Sequence, residues 1–361
     1  MYRFIRPILF SQDPETVHEK VITALEKSFQ IPGVHGLIES FFGFEHPELQ
    51  IEIFGKTFPN PIGLAAGFDK NGKVFNPMFS IGFGFVEIGT VTPLPQPGNP
   101  APRIFRLPED QALINRLGFN NQGVEALIHR VEQNPPSGIL GINIGKNKST
   151  PIEAANNDYT VALEKIYDHA GYIVINVSSP NTEKLRALQE KDALHSLMGQ
   201  LLQIRKDLIR QGKPKKTILL KIAPDLTDET LEDIRSIFQE FALDGIIACN
   251  TTLSRDRLKN SKFAHEQGGL SGVPLRERST QLIGKLYQKL GPSLPIIGVG
   301  GIFTGGDAYQ KIKAGASLVQ IYTGMIYQGP AIVYKIKNEL LRLLKRDGFS
   351  HISEAVGADF R

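Results

Sequence analysis

From Pro61 onward, apolar runs alternate with amphipathic stretches in one repeating order. Eight runs rich in Ile, Val and Leu occupy 61–67, 84–91, 138–145, 172–179, 217–224, 245–252, 294–301 and 317–324. None alternates strictly between apolar and polar, as expected of parallel strands covered on both faces. Helix-period stretches lie between them, for example 153–169, 191–211, 228–241, 276–290 and 329–346. Thr227 before Asp228 and Glu229, and Gly305 and Gly306 before Asp307, read as helix entries. This order predicts an α/β fold, a closed (β/α)8 TIM barrel from about Pro61 to about Arg346. A doubly wound sheet usually has five or six strands and a GxGxxG after the first, and none stands there. The preceding IEIFGKTF (51–58) reads as a short hairpin arm, and the last fifteen residues as a tail.

The front of the chain follows a different pattern. Asp13 is placed to cap a helix with Pro14 at its first position, and Val17, Val21, Leu25 and Phe29 fall on one face. A second short helix holds Val34, Leu37, Ile38, Phe41 and Phe42, beyond a break at Ile31, Pro32 and Gly33. Such a pair either caps the main domain or lies with its apolar faces in a membrane interface. Residues 1–45 carry four Lys/Arg (Arg3, Arg6, Lys20, Lys27) against six acids, so attachment to lipid would be hydrophobic rather than electrostatic. The apolar run Pro7–Phe10 is too short for a signal-peptide core, and no run reaches the roughly 20 apolar residues of a membrane span. The expected organisation is an N-terminal amphipathic helical region over 1–45 and a barrel domain over 46–361.

Composition narrows the classes. With 361 residues, 41% hydrophobic and 22% charged, the chain is neither disordered nor a channel, and it exceeds the ~250 residues of a bare barrel. A net charge of +4, spread along the chain, is too mild to argue for nucleic acid. The single cysteine permits no internal disulfide and favours a reducing compartment.

In this fold, chemistry sits at the carboxyl ends of the strands. Those ends supply Asp69 and Lys70, Thr90 and Thr92, Asn143 and Lys146, then Asn176, Ser178, Ser179 and Asn181. The later strands add Lys221, then Asn250, Thr251 and Thr252, a run of glycines, and finally Tyr322 and Thr323. Lys221 within TILLKIAP is the sharpest case, because a buried ammonium needs a partner. It serves either a structural salt bridge or an anionic ligand, and Asp225 is the only nearby acid on its own segment, which favours the ligand. No carboxylate pair sits at adjacent strand ends, no His or Cys spacing suggests a metal, and no histidine stands where a Ser–His–Asp triad would need it. Amides, hydroxyls and lysines remain, which orient a polar ring and an anion and suit a cofactor that does the difficult chemistry. Gly298, Gly300 and Gly301, with Thr323 and Gly324, stand at the two loops where barrels often bind phosphate, so FMN fits best. These glycines also read as plain turn residues.

The strings GLAAGFDKNG (63–72), EIGTVTPLPQPGNPAPRIFRL (87–107), INRLGFNNQG (114–123), GINIGKNK (141–148), NVSSPNT (176–182), LKIAPDL (220–226), NTT (250–252), GGLSG (268–272), IIGVGGI (296–302) and VQIYTGMIY (319–327) resemble the dihydroorotate dehydrogenase family, in order and over nearly the whole chain. The resemblance implies one FMN per chain and oxidation of dihydroorotate to orotate in pyrimidine biosynthesis, with neither nucleic acid nor metal as partner. Ser179, where the soluble class has cysteine, and the N-terminal helices resemble the quinone-dependent, membrane-associated class. That class implies a peripheral protein of the bilayer surface, on the cytoplasmic face of the inner membrane if the source is bacterial. Carried over by motif, Ala66, Gly67, Phe68, Asp69, Lys70, Thr90, Asn143, Asn176, Lys221, Cys249, Gly272, Gly301, Tyr322 and Thr323 would contact FMN. Lys70, Asn115, Arg116, Leu117, Gly118, Phe119, Asn176, Asn181, Asn250 and Thr251 would hold the substrate, and His18 and Arg106 would line the quinone path. Cys249 stands where threonine is expected and reads as a buried thiol; Thr323 stands where serine is common and keeps the hydroxyl.

The implied reaction removes a proton from C5 and a hydride from C6. Ser179 would take the proton, relayed through water and Thr182, with Phe119 shielding the site. The rival readings are the soluble type of the same dehydrogenase, another FMN barrel acting on a pyrimidine ring, and a non-catalytic phosphate-ligand-binding barrel attached to membranes.

Overall fold

The computed structural model describes residues 2–259 and 262–361; Met1, the first residue of the expected N-terminal region, lies outside the described residues. Eight parallel strands close into a barrel. They are β1 (Ile62–Leu64), β2 (Phe85–Val91), β3 (Ile139–Ile144), β4 (Tyr172–Asn176), β5 (Thr217–Ile222), β6 (Gly245–Ala248), β7 (Ile296–Val299) and β8 (Leu318–Ile321). Each pairs with the next, and β8 closes on β1 through Val319 opposite Ile62. All eight are buried along nearly their whole length, which is why their sequences lack alternation. The strands stop short of the apolar runs that encode them: Ser178, Ser179, Asn250 and Tyr322 fall in the loops just beyond, where side chains can turn into the barrel mouth.

The helices follow their capping signals. Thr227 accepts from Thr230 N at the start of Asp228–Phe241, and Thr304 with Asp307 forms a reciprocal capping box before Gly305–Lys313. The 51–58 arm is an antiparallel hairpin, Ile51 opposite Phe58. The C-terminal tail packs on the barrel, burying Ile352 and Ala355 and stacking Phe360 on Tyr287 with centroids 5.9 Å apart.

The front holds three helices where two were expected: α1 (Tyr2–Phe10), α2 (Pro14–Ser28) and α3 (Val34–Phe42). Pro7 sits inside α1, where it lacks the N–H that would otherwise bond the Arg3 carbonyl, on an exposed face that water can serve. Asp13 caps α2 as predicted, accepting from Thr16 N at 2.9 Å. A further antiparallel sheet, absent from the sequence expectations, joins Ile104–Leu107, Ala112–Asn115 and Gly269–Gly272 around its own small core of Phe105, Leu107, Ala112, Ile114 and Leu270. Its strands come from the loops after β2 and β6, so it borders the barrel mouth.

Candidate active site

The strand ends open into a cavity of about 1150 Å3, mouth included. Parallel register brings Asn176 beside Lys221 and Gly89 beside Asn143, so the polar residues of β2 to β5 converge. At the barrel centre Lys221 Nζ meets Glu87 Oε1 at 3.2 Å, both side chains buried. The structural salt bridge, which the lack of another acid on the lysine's own segment disfavoured, is therefore present. Glu87 reaches Lys221 from β2 across the barrel, while Asp225 pairs with Arg186 at 3.0 Å and Arg278 at 2.8 Å. Glu87 also accepts from Asn143 Nδ2 at 2.8 Å and Gln320 Nε2 at 2.6 Å. Lys221 nevertheless lines the cavity, so it serves both the pair and whatever lies above it.

From Asn143 the network climbs to the mouth. Thr90 Oγ1 donates to Asn143 Oδ1 at 2.6 Å, and Asn176 Nδ2 donates to Thr90 Oγ1 at 2.9 Å. Ser178 Oγ donates to Asn176 Oδ1 at 3.0 Å, and Asn250 Nδ2 donates to Ser178 Oγ at 3.0 Å. Each amide is thereby fixed in orientation by its protein neighbours, the condition for a preorganised site. Ser179 is buried and its Oγ accepts from Asn181 N at 3.2 Å; Asn181 Nδ2 reaches Asn115 Oδ1 at 3.1 Å. Burial pulls the Lys70 ammonium down to about 8, and the Glu15 carboxylate opposes that pull.

Of the expected residues, Ala66, Gly67, Lys70, Thr90, Asn176, Lys221, Cys249, Gly272, Gly301, Tyr322 and Thr323 line this cavity. So do Asn115, Leu117, Gly118, Phe119, Ser179, Asn181, Asn250 and Thr251. Five do not. Asp69 accepts from Lys73 N at 2.8 Å and Val74 N at 2.7 Å, and burial raises its carboxyl above the usual range. Phe68 lies edge-on between the rings of His18 (5.2 Å) and Tyr322 (6.1 Å). Asn143 lies beneath Thr90. Arg116 pairs with Glu266 at 2.6 Å and covers the Phe105 ring at 4.6 Å. Thr182 is buried outside the lining.

Gln320, Ser271 and Leu275 also line the cavity and were not anticipated. Gln320 in VQIY and Glu87 in FVEIG are, like Lys221, lone polar residues within buried strands, and that same signal marks them in the sequence. Cys249 is a buried thiol as expected, its Sγ 3.7 Å from Val299 O and its pKa pushed up to about 12 by desolvation. At Gly272 (φ +99°) a Cβ would stand 2.3 Å from Gln111 O, and at Gly301 (φ +69°) 2.5 Å from Arg276 Cα. Only glycine fits at these two lining positions, because the chain at Gln111 and at Arg276 packs directly against them. No group of three or more His, Cys, Asp or Glu positioned for a metal occurs among the described residues.

A second cavity, about 980 Å3 and largely apolar, lies under α1 and α2. Val17, His18, Val21, Leu25, Phe68, Met78 and Arg106 line it, so His18 and Arg106 stand together as expected. Desolvation and the Lys70 charge hold His18 neutral, its pKa lowered to about 3. Arg106 Nη1 donates to Gln12 O at 2.7 Å and its guanidinium lies 4.7 Å over the Phe10 ring. Ile104, Leu113 and Tyr322 line both cavities and form their common wall.

Fold and site define a class: a (β/α)8 enzyme with a preorganised polar pocket at the strand ends and an apolar chamber against its flank. The dihydroorotate dehydrogenase family model matches residues 48–344. The chain is 52% identical over 342 residues to the dihydroorotate dehydrogenase (quinone) of Christiangramia forsetii, covering 94% of this chain and 99% of that one. To the protein of the same description from Rhodospirillum rubrum it is 49% identical over 360 residues, with 100% and 95% covered. A crystal structure of DHODH from Eimeria tenella in complex with ferulenol superposes with TM-score 0.90 at 40% identity, covering 99% of both chains. The chain belongs to the dihydroorotate dehydrogenase family.

Proposed function

We propose that the protein is a quinone-dependent dihydroorotate dehydrogenase of pyrimidine biosynthesis, using FMN. It oxidises dihydroorotate at the polar cavity and delivers the electrons to a quinone in the apolar one. The observation that carries this reading is the shared wall of Ile104, Leu113 and Tyr322 between the two cavities.

The donor set fits FMN. Thr90, Lys70, Asn176 and Lys221 offer hydroxyl, ammonium and amide groups for a polar ring. Gly272, Gly301, Tyr322 and Thr323 offer backbone at the loops where a phosphate is held, and a Cβ at either glycine would collide with its surroundings. Asn143 and Asp69 act one step back, Asn143 by orienting Thr90 and Asp69 by holding the Lys70 loop through main-chain bonds. When bound, FMN would supply a ring that accepts the C6 hydride of the substrate and hands the two electrons on to quinone.

Dihydroorotate is an anion, and Lys70 offsets its charge while Asn115, Asn176, Asn181, Asn250 and Thr251 present amides and a hydroxyl to its ring. Leu117, Gly118 and Phe119 cover it, with Arg116 tying this segment to Glu266. Ser179 Oγ takes the C5 proton as hydride leaves C6. A serine hydroxyl is a weak base near neutral pH, so the Asn181 N–H directed at Oγ, which favours negative charge there, is part of the device. Thr182, the next hydroxyl along the chain, lies outside the lining, so a water between it and Ser179 Oγ would have to carry the proton on.

The N-terminal region, residues 1–45, gives quinone its access. Phe4, Ile8, Leu37 and Phe41 are 81%, 64%, 58% and 71% exposed, an apolar surface suited to the membrane interface. No helix among the described residues is long and apolar enough to cross a membrane. The reading places the attachment at these exposed apolar faces, peripherally, on the cytoplasmic face of the inner membrane if the source is bacterial. The test is anaerobic spectroscopy of the purified protein. Dihydroorotate should bleach its flavin absorbance and a membrane quinone should restore it; an unbleached flavin rejects the reading.

A further inference from the structure

Helix α2 lines the apolar chamber with Val17, His18, Val21 and Leu25. Glu15, in its first turn, instead meets Arg103 on the segment after β2. Its carboxylate takes three hydrogen bonds from Arg103: Nε to Oε1 at 3.0 Å, Nε to Oε2 at 2.9 Å and Nη2 to Oε1 at 2.7 Å. Both side chains are mostly buried, so the pair is shielded from solvent screening. The remaining guanidinium nitrogen, Nη1, donates to Pro97 O at 2.6 Å and Asn99 O at 2.7 Å. Asn99 Nδ2 in turn donates to Arg116 O and Asn181 O, each at 3.0 Å. Asn181 then holds Ser179 Oγ and Asn115.

We propose that Glu15 is a positioning residue for the dihydroorotate side of the enzyme, acting through Arg103 and Asn99 on the backbone at Arg116 and Asn181. The helix assigned to quinone access thus also sets the shape of the substrate pocket. A bidentate carboxylate fixes the plane of the guanidinium, and that plane aims Nη1 at the two loop carbonyls. Without Glu15 the guanidinium is free to turn to water and the 97–99 loop loses its clamp. This inference rests on the functional reading above.

The experiment uses the full-length holoenzyme. Orotate binding is followed by the flavin spectral shift, and apparent KM is measured separately for dihydroorotate and quinone. Glu15→Ala should weaken orotate and raise the dihydroorotate KM about tenfold, within the range of a lost charged hydrogen-bond pair, while the quinone KM stays within about twofold. Glu15→Gln, which keeps one acceptor oxygen, should recover part of the loss. Arg103→Gln should reproduce the defect, and adding Glu15→Ala to it should cost nothing more. Additive losses, an unchanged orotate affinity in Glu15→Ala, or an equal rise in quinone KM would each overturn the proposal. Failure of the wild-type flavin to respond to dihydroorotate would instead reject the functional reading, and the inference with it.

Discussion

The two cavities share a wall but are built by opposite means. Around the polar one, nearly every buried polar group is tied to another, from Lys221 and Glu87 through Asn143, Thr90 and Asn176 to Asn250, on strands that are buried throughout. Around the apolar one, α1 buries no residue at all and α2 buries only Val17 and Ile22. Besides Ile22, Leu25 and Phe10, which pack on the barrel's apolar clusters, these helices are docked by a handful of polar contacts: Arg6 to Tyr327 O, Arg106 to Gln12 O, Lys73 to Glu26 and Glu15 to Arg103. The contrast fits the tasks proposed for the two cavities. Hydride and proton transfer require donors fixed to within fractions of an ångström. Exchange of an apolar oxidant with a membrane requires a wall that opens cheaply, and elements with few buried contacts sit at the low end of local stability.

The comparison breaks most visibly at Ser179. Ser179→Ala should lower the rate of dihydroorotate oxidation by about 10²–10⁴, the usual contribution of a general base, while FMN and orotate remain bound. Single-turnover flavin reduction measures this, and a near-normal rate would remove Ser179 from the reaction. Next comes the barrel centre. Lys221→Ala strands Glu87 among Asn143 and Gln320, and breaking a buried ion pair typically destabilises by about 3–5 kcal/mol. Chemical denaturation and the flavin-to-protein ratio should both fall; full occupancy with unchanged stability would show that the network does not depend on the pair.

Much of the rigid half was legible in the sequence, and less of the loose half. The apolar runs announced eight strands because buried parallel strands carry that composition, and the strand-end rule then reached Lys70, Thr90, Asn176, Ser179, Lys221 and Asn250. The rule could not supply Glu87 as the partner of Lys221. The two are 134 residues apart on strands that do not pair, and only closure of the barrel brings them together. The antiparallel sheet at the mouth escaped for a related reason: strands of four residues drawn from distant loops leave no periodicity to read. Helix α1 was hidden by Pro7, which sequence logic takes as a break. His18, Arg106, Phe119 and the residues from Asn115 to Gly118 were reached through family resemblance, since nothing in their local pattern marks them.

Smaller effects separate the cavities by pH. His18 is protonated near 6.5 in an unfolded chain but only near 3 when docked, because burial and Lys70 disfavour its charge. The unfolded or undocked state therefore binds more protons between those values. Its contribution to docking is complete above about pH 6.5 and is lost progressively as pH falls toward about 3. Limited proteolysis within 1–45 should accelerate over that window, and His18→Asn should flatten the dependence. An identical pH profile in the variant would show that other groups govern docking.

The smallest expected response is to salt. Anionic lipid attracts basic segments and does so less at high ionic strength, but residues 1–45 carry four Lys/Arg against six acids. Binding to vesicles should therefore change little between low and molar salt, and between neutral and anionic lipid. Phe41→Ser, by contrast, removes an aromatic side chain that is 71% exposed, whose burial in lipid is worth about 1.5–3 kcal/mol, so it should weaken binding at least tenfold. Vesicle co-sedimentation distinguishes the cases. Release of the wild type by salt alone, with Phe41→Ser binding normally, would mean that a charged surface elsewhere on the barrel makes the contact and that the exposed apolar faces of α1 and α3 do not.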